Sequence, residues 1–321
     1  MKHGLQVLKH GAADLLMDTG WAGLRDRGVG PGGPADGWSF AVTQALAGNH
    51  AAENVACLEF ALVGPQLEAL DTVGCALGGA VARAVLIRVD GTRRVLPPWC
   101  GFTLHCGDRL TIGPVTDGLR GYLAVAGGFA APRVAGSRQS LQPLRLPGVL
   151  TAAGGPGQGR FMDPHWAAPH LEQAGEPLRL LPGPQWSDLG WEGEVSPLFR
   201  VGDRVDRMGV RLVGEDRMCR LPPGGLLSEP VCPGVVQVPA SQEWIILGMG
   251  CQTLGGYARC GQVIAADMSR VGQLGPGRGV RFRRVEMPEA LEANQRYDLE
   301  LRRRCQMALV AGRDRAGFYQ G

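Results

Sequence analysis

The sequence has almost no lysine. Lys2 and Lys9 stand alone, and every other basic residue is arginine. Its 33 basic and 30 acidic residues leave a net charge of +3, too even for the basic face that nucleic-acid binding requires. No Gly-x-x-x-x-Gly-Lys-Ser/Thr stretch occurs, which disfavours Walker-type ATP binding. No Gly-x-Ser-x-Gly elbow occurs either, so α/β-hydrolase chemistry has no footing. No run of roughly 18 consecutive apolar residues exists, so no helix is expected to span a bilayer. Cys-x-x-Cys is absent and the nine cysteines are scattered. Close metal-ligand pairs are therefore missing, no metal is expected, and the thiols read as buried and free in a reducing compartment. Histidine stops at His170, which excludes a His-dependent triad centred on the second half. His165 and His170 read as loop residues. The opening Met1-Lys2-His3-Gly4 lacks the apolar region of a secretory signal, so a cytoplasmic location is expected.

What is abundant is glycine. Fifty glycines and 23 prolines lie in a chain that is 45% apolar. Apolar content on this scale builds a core, so the chain is neither a linker nor disordered. Many tight turns within a cored chain favour β-architecture with short strands. A length of 321 residues argues for two domains at roughly 100–200 residues each. The boundary is placed near residue 175, between an N-terminal domain over 1–175 and a C-terminal domain over 176–321.

Trp38 to Ala47 has a helical apolar face, with Asp36 before it as a candidate cap and Gly48-Asn49 as its stop. Strands are expected at Cys57–Leu62, Val81–Val89 and Leu119–Ala126 in the first half. In the second half they are expected at Leu178–Leu181, Phe199–Val201, Val210–Val213, Val235–Val238, Trp244–Leu247, Gln262–Ala265 and Val280–Arg283. Pro288 opens a final helix to about Ala311, at the position where a missing N–H costs least.

Two glycine loops invite a phosphate reading. Gly28-Val29-Gly30-Pro31-Gly32-Gly33 matches G-x-G-x-x-G, but charged Arg25-Asp26-Arg27 precedes it and Pro34 follows, where a dinucleotide site needs a strand and then a helix. Its bare N–H groups remain able to cradle an oxyanion. Gly154 to Arg160 shares only glycine content with a phosphate loop and reads as a surface loop.

The densest unusual stretch is 205–268. Arg207, Ser228, Glu229, Gln237, Gln252, Tyr257 and Asp267 stand there at strand ends beside glycines such as Gly255 and Gly256. Two readings follow. One is turn chemistry, with buried Gln and Tyr satisfied by backbone. The other is a cleft lined by amide, hydroxyl and guanidinium donors.

These motifs resemble the family of the 5-oxoprolinase C subunit. It is also described as biotin-dependent carboxyltransferase or allophanate hydrolase subunit 2, and includes the antagonist of a sporulation kinase inhibitor. The resemblance rests on Gly28-Val29 through Asp36, on Leu46-Ala47-Gly48-Asn49 with Leu58-Glu59, and on Tyr122 through Gly128. It continues with Gly136-Ser137, Ser140, Leu178 through Pro184, and Arg207-Met208-Gly209 with Arg211-Leu212 and Gly214. The motifs recur in order over residues 5–310. The family pattern departs at Gln185 for Glu, Gly250 for Asp, Leu254 for Thr, Ala258 for Pro, Trp21 for Arg, and Val205 for a polar residue.

The resemblance implies two cyclophilin-like β-barrel domains in tandem, mainly β with a few short helices. It implies a B-subunit homologue as partner, with an A-subunit homologue as a further one, and a small amide substrate. The activity implied is ATP-dependent lactam opening as in 5-oxoprolinase, or carboxyl transfer from carboxybiotin as in urea carboxylase, with ATP or carboxybiotin supplied through partners. The alternative is a non-catalytic regulator that binds and antagonises the B-subunit homologue. A lactam, urea and the biotin ureido ring are all planar amides, activated by fixed donors aimed at the oxygen. On this footing Arg207, Gln252 and the Gly255-Gly256 backbone are the expected donors. Tyr257 is expected to stack or donate a proton, and Asp267 to orient Arg207 or act as base. Asp36, Ser228, Glu229 and Gln237 are expected to bind substrate.

Overall fold

The computed structural model describes residues 3–311 apart from 141, 145–147, 153–154, 174, 189–190, 192 and 215–225. The described chain is mainly β, and its two large sheets form one nearly closed barrel and one half-barrel. One compact unit takes Met1–Gly20, Gly37–Pro169 and Leu301–Gly321; the other takes Trp21–Asp36 and His170–Glu300. This partition is not a single cut near residue 175. The segment 21–36 precedes the first helix in sequence but packs with the second half.

The first unit is built on two long antiparallel strands, Val73–Ile87 and Arg109–Val125, whose register shifts between Gly79 and Ala84. Sequence periodicity marks only part of each, because the glycine-rich portions carry no apolar alternation. Gly79 has φ 86°, and a Cβ there would lie 2.7 Å from the Arg120 carbonyl oxygen, so this irregular stretch needs glycine. The helix Gly37–Leu46 buries Trp38, Val42, Ala45 and Leu46. It stops at Gly48, whose φ of 91° and N–H bond to the Ala45 carbonyl make the expected C-terminal cap.

The second unit holds an eight-stranded sheet. Its order is Gly279–Val280, Phe199–Val205, Gly209–Gly214, Trp244–Leu247, Val235–Val238, Ala258–Val263, Leu178–Pro182 and Phe282–Arg284. The two outermost strands are separated in sequence by Arg281 alone, so the sheet curls back on itself. That is why the expected single strand Val280–Arg283 is two strands. The expected strand Gln262–Ala265 lies earlier, at Ala258–Val263, and Ala265–Asp267 is a 3-10 turn. Phe199, Trp244 and Phe282 form the aromatic centre of the core, with ring centroids 4.7–6.1 Å apart. A helix covers Met287–Val310.

Two expectations are corrected at residue level. His165 and His170 stand in short helices, Pro164–Ala167 and Pro169–Glu172, not in loops. Among the described cysteines Cys106 is exposed, and Cys232 and Cys305 are partly so; Cys219 lies outside the described residues.

Candidate functional site

Strand residues alternate between two faces, and in the second unit only one face meets the core. Val210, Ile246 and Val236 are register partners and all are buried in that core. Their neighbours Arg211, Ile245 and Gln237 are register partners on the opposite face, and Gln237 pairs in turn with Arg259. One row therefore crosses four adjacent strands as Arg211, Ile245, Gln237, Arg259.

A second, two-stranded sheet, Glu229–Pro230 with Leu254–Gly255, forms a flap beside this row. The flap is held by an ion pair between Glu229 and the Arg259 guanidinium, and by the Val231 N–H donating to the Thr253 carbonyl at 2.9 Å. Beneath it Val231, Val235, Leu247 and Cys251 pack as a small apolar cluster, with Ile245 against it. Gln185 secures Arg259 from the other side, its Oε1 accepting the Arg259 N–H at 2.8 Å. The glutamine that replaces the family's glutamate thus has a structural task.

Gln237 is 1% exposed, and its Nε2 has no hydrogen-bond partner among the described residues. A buried amide left unpaired is costly unless something else supplies the partner. Gly255 lies directly against it: a Cβ there would sit 2.6 Å from Nε2. Gly256 lies against the Leu226 carbonyl, 2.9 Å from its would-be Cβ, and Ser228 Oγ is 3.3 Å away. Of the expected site residues, the structure thus brings together Gln237, Gly255, Gly256, Ser228 and Glu229. Tyr257 follows Gly256 and is 50% exposed.

Arg207 is placed differently from expectation. Its guanidinium donates to the Gly33 carbonyl, and its own carbonyl accepts the Gly250 N–H at 2.7 Å. The 28–33 glycine loop rests on the same turn. The Gly32 N–H reaches the Met249 carbonyl at 3.0 Å, and a Cβ on Gly30 would lie 2.5 Å from the Cys251 carbonyl oxygen. Arg25 donates to the Val231 carbonyl. The loop follows a 3-10 turn, Arg25–Arg27, and the N–H groups of Gly28 and Val29 are taken by the Arg25 and Leu24 carbonyls. It is a packed strap, with Arg207 as its clasp. Gln252, next after Cys251, is exposed.

Asp267 does not orient Arg207. Its buried carboxylate accepts the Arg179 backbone N–H at 2.7 Å and the Arg179 guanidinium at 2.6 and 3.2 Å, with Arg270 at 3.6 Å. Asp36 is also buried, against His170 Nε2 at 2.9 Å and Gln273 Nε2 at 2.7 Å. Both are internal ties. Cys251 is buried, and burial pushes its thiol up to about 11 despite the Arg25 charge nearby, so the neutral thiol is favoured at neutral pH.

Sequence reasoning quoted Arg211 within a motif but assigned no site role to Arg211, Ile245 or Arg259. A signal existed: Val-Arg-Leu and Val-Val-Gln-Val each set one polar residue among apolar ones at strand period, which aims it away from the core.

The unpaired Gln237 Nε2 is a donor of the kind a carbonyl oxygen accepts from, and it is covered by Gly255. A nucleotide phosphate does not fit the second glycine loop. The Gly155 and Gly157 N–H groups are spent on the Thr72 carbonyl and Thr103 Oγ1, each at 2.9 Å. Gly154 lies outside the described residues.

The carboxyltransferase domain model, subdomains A and B, matches residues 27–284. The chain belongs to this carboxyltransferase family. It is 32% identical to the 5-oxoprolinase C subunit of Escherichia coli (strain K12), over 91% of this chain and 94% of that protein. The crystal structure of TTHA0988 superposes with a TM-score of 0.73 at 33% identity, over 89% of this chain and 56% of the other. The Kluyveromyces lactis urea carboxylase shares the fold, with a TM-score of 0.79 at 24% identity. This chain spans 97% of itself but 30% of that enzyme. It is thus about as long as the bacterial oxoprolinase relative and corresponds to a part of the larger carboxyltransferase-family proteins. Among the described residues, no helix is long and apolar enough to cross a membrane.

Proposed function

We propose that this carboxyltransferase-family chain is the C subunit of a cytoplasmic 5-oxoprolinase-type complex, acting on a lactam with a B-subunit homologue and with ATP handled by its partners. The observation that carries this reading is the buried, unpartnered Gln237 amide beneath Gly255. A donor held dry and preorganised strengthens its bond to an amide oxygen as charge builds there, and removal of one such donor costs about 3 kcal/mol. On this reading the lactam ring lies against Ile245, and its carbonyl reaches Gln237 when the Gly255-Gly256 backbone that covers this amide moves aside, with Ser228 at the edge. Tyr257 and Gln252, both exposed at the rim, meet the leaving nitrogen or the partner protein. Carboxybiotin presented by a partner offers the same planar ureido group to the same donor, which is the family's other chemistry.

The test is co-expression with A- and B-subunit homologues, then an assay of ATP-dependent 5-oxoproline opening. Turnover that falls by roughly a hundredfold in Gln237→Ala, with the complex intact, supports the reading. A stable complex with no turnover on 5-oxoproline, and none with carboxybiotin and urea, favours a regulator that titrates the B-subunit homologue.

A further inference from the structure

The row that carries Gln237 has two further polar positions, Arg259 beside it and Arg211. Arg211 is two strands away, with Ile245 as an apolar floor between them. Neighbouring strands lie about 4.8 Å apart, so the two Cα atoms are separated by roughly 10 Å. Both side chains stand on the same face of the sheet.

Of the three arginines around the row, two are occupied by the protein's own framework. Arg207 clasps Gly33, and Arg259 ties Glu229 and the Pro230 carbonyl of the flap. Arg211 pairs instead with Glu243, Nη1 to Oε2 at 2.7 Å, and the two side chains are 36% and 32% exposed. Glu243 begins just after a tight turn in which the Gln242 N–H bonds to the Pro239 carbonyl. The pair is half-buried and open to solvent on one side, so a competing carboxylate can reach the guanidinium. A guanidinium binds a planar carboxylate through two parallel N–H bonds, whichever molecule supplies it.

We infer that Arg211 is the specificity residue that reads the substrate's carboxylate, with Glu243 as the placeholder that this carboxylate displaces. The inference rests on the lactam reading above and extends it. Gln237 takes the ring amide, Ile245 the ring methylenes, and Arg211 the acid group. An amide without a carboxylate leaves the Arg211–Glu243 pair closed and gains nothing from it.

The experiment is calorimetric titration of the full chain, in complex with its B-subunit homologue, using 5-oxoproline and pyrrolidin-2-one. The second is the same lactam without the acid. Wild type is expected to bind 5-oxoproline roughly tenfold or more tightly, as expected for a charged hydrogen-bonding group. Arg211→Gln removes that preference and leaves pyrrolidin-2-one unchanged. Arg211→Lys keeps the charge and restores part of it. Glu243→Gln tightens 5-oxoproline alone. In wild type, added salt weakens 5-oxoproline and not pyrrolidin-2-one. Preference for 5-oxoproline that survives Arg211→Gln, or equal weakening of both lactams, overturns the inference while the lactam reading stands. Wild type that binds neither compound overturns both, and the loss of pyrrolidin-2-one binding marks that case.

Discussion

Gly255 touches the Gln237 amide so closely that no side chain fits between them: a Cβ would stand 2.6 Å from Nε2. Gly255→Ala is therefore expected to push the amide off its position. The obstructed atom ends a side chain, so the fold adjusts and stability changes by roughly 1 kcal/mol. Substrate affinity falls about tenfold or more. Titration with 5-oxoproline alongside thermal melting checks this; unchanged affinity separates Gln237 from the site.

Gly30 meets backbone rather than a side chain, with its would-be Cβ 2.5 Å from the Cys251 carbonyl oxygen. Gly30→Ala should lift the strap, and Arg207→Ala should unclasp it at Gly33. Both variants are expected to raise amide hydrogen exchange across residues 28–33. Arg207→Ala costs about 1–3 kcal/mol, because it leaves the Gly33 carbonyl without that donor. Exchange identical to wild type in both variants contradicts the strap.

Asp267 ties Arg179 and Arg270 from a buried position. Asp267→Asn is expected to destabilise the chain by about 3 kcal/mol, since two cations lose a shared counter-charge. Urea unfolding measures that cost. The KM and kcat of the folded complex stay within twofold or so, as a framework role requires. A large kcat loss at unchanged stability points instead to catalysis.

Burial raises the Cys251 thiol from an ordinary 9.0 to about 11. The folded state thus holds this proton more tightly than the unfolded chain does. The stability it contributes is complete below about pH 9 and is lost as pH rises through about 11. Melting temperatures taken across that window should fall less steeply in Cys251→Ala than in wild type. Parallel slopes rule out the linkage. Alkylation of Cys251 at neutral pH should be negligible while the protein is folded.

Much of the candidate site was legible as composition before it was legible as geometry. Gln237, Ser228, Glu229, Gly255 and Gly256 stood out because polar residues beside glycines at strand ends are unusual. Arg207 and Asp267 stood out for the same reason, yet they serve as a clasp and a tie. A side chain's partner is set by what the fold brings near it, and neither Gly33 nor Arg179 is close to these residues in sequence.

The amino-acid sequence by itself determined the β-rich class, the helix that stops at Gly48, the short strands of the second half and the family. These follow from local rules: side-chain period, turn chemistry, and motifs in a fixed order. Only the tertiary structure decided that residues 21–36 join the second half, that Val280–Arg283 divides between opposite ends of one sheet, and that Arg211, Ile245, Gln237 and Arg259 share a row. Strand register joins residues far apart in the chain, and no local pattern encodes which strand becomes whose neighbour.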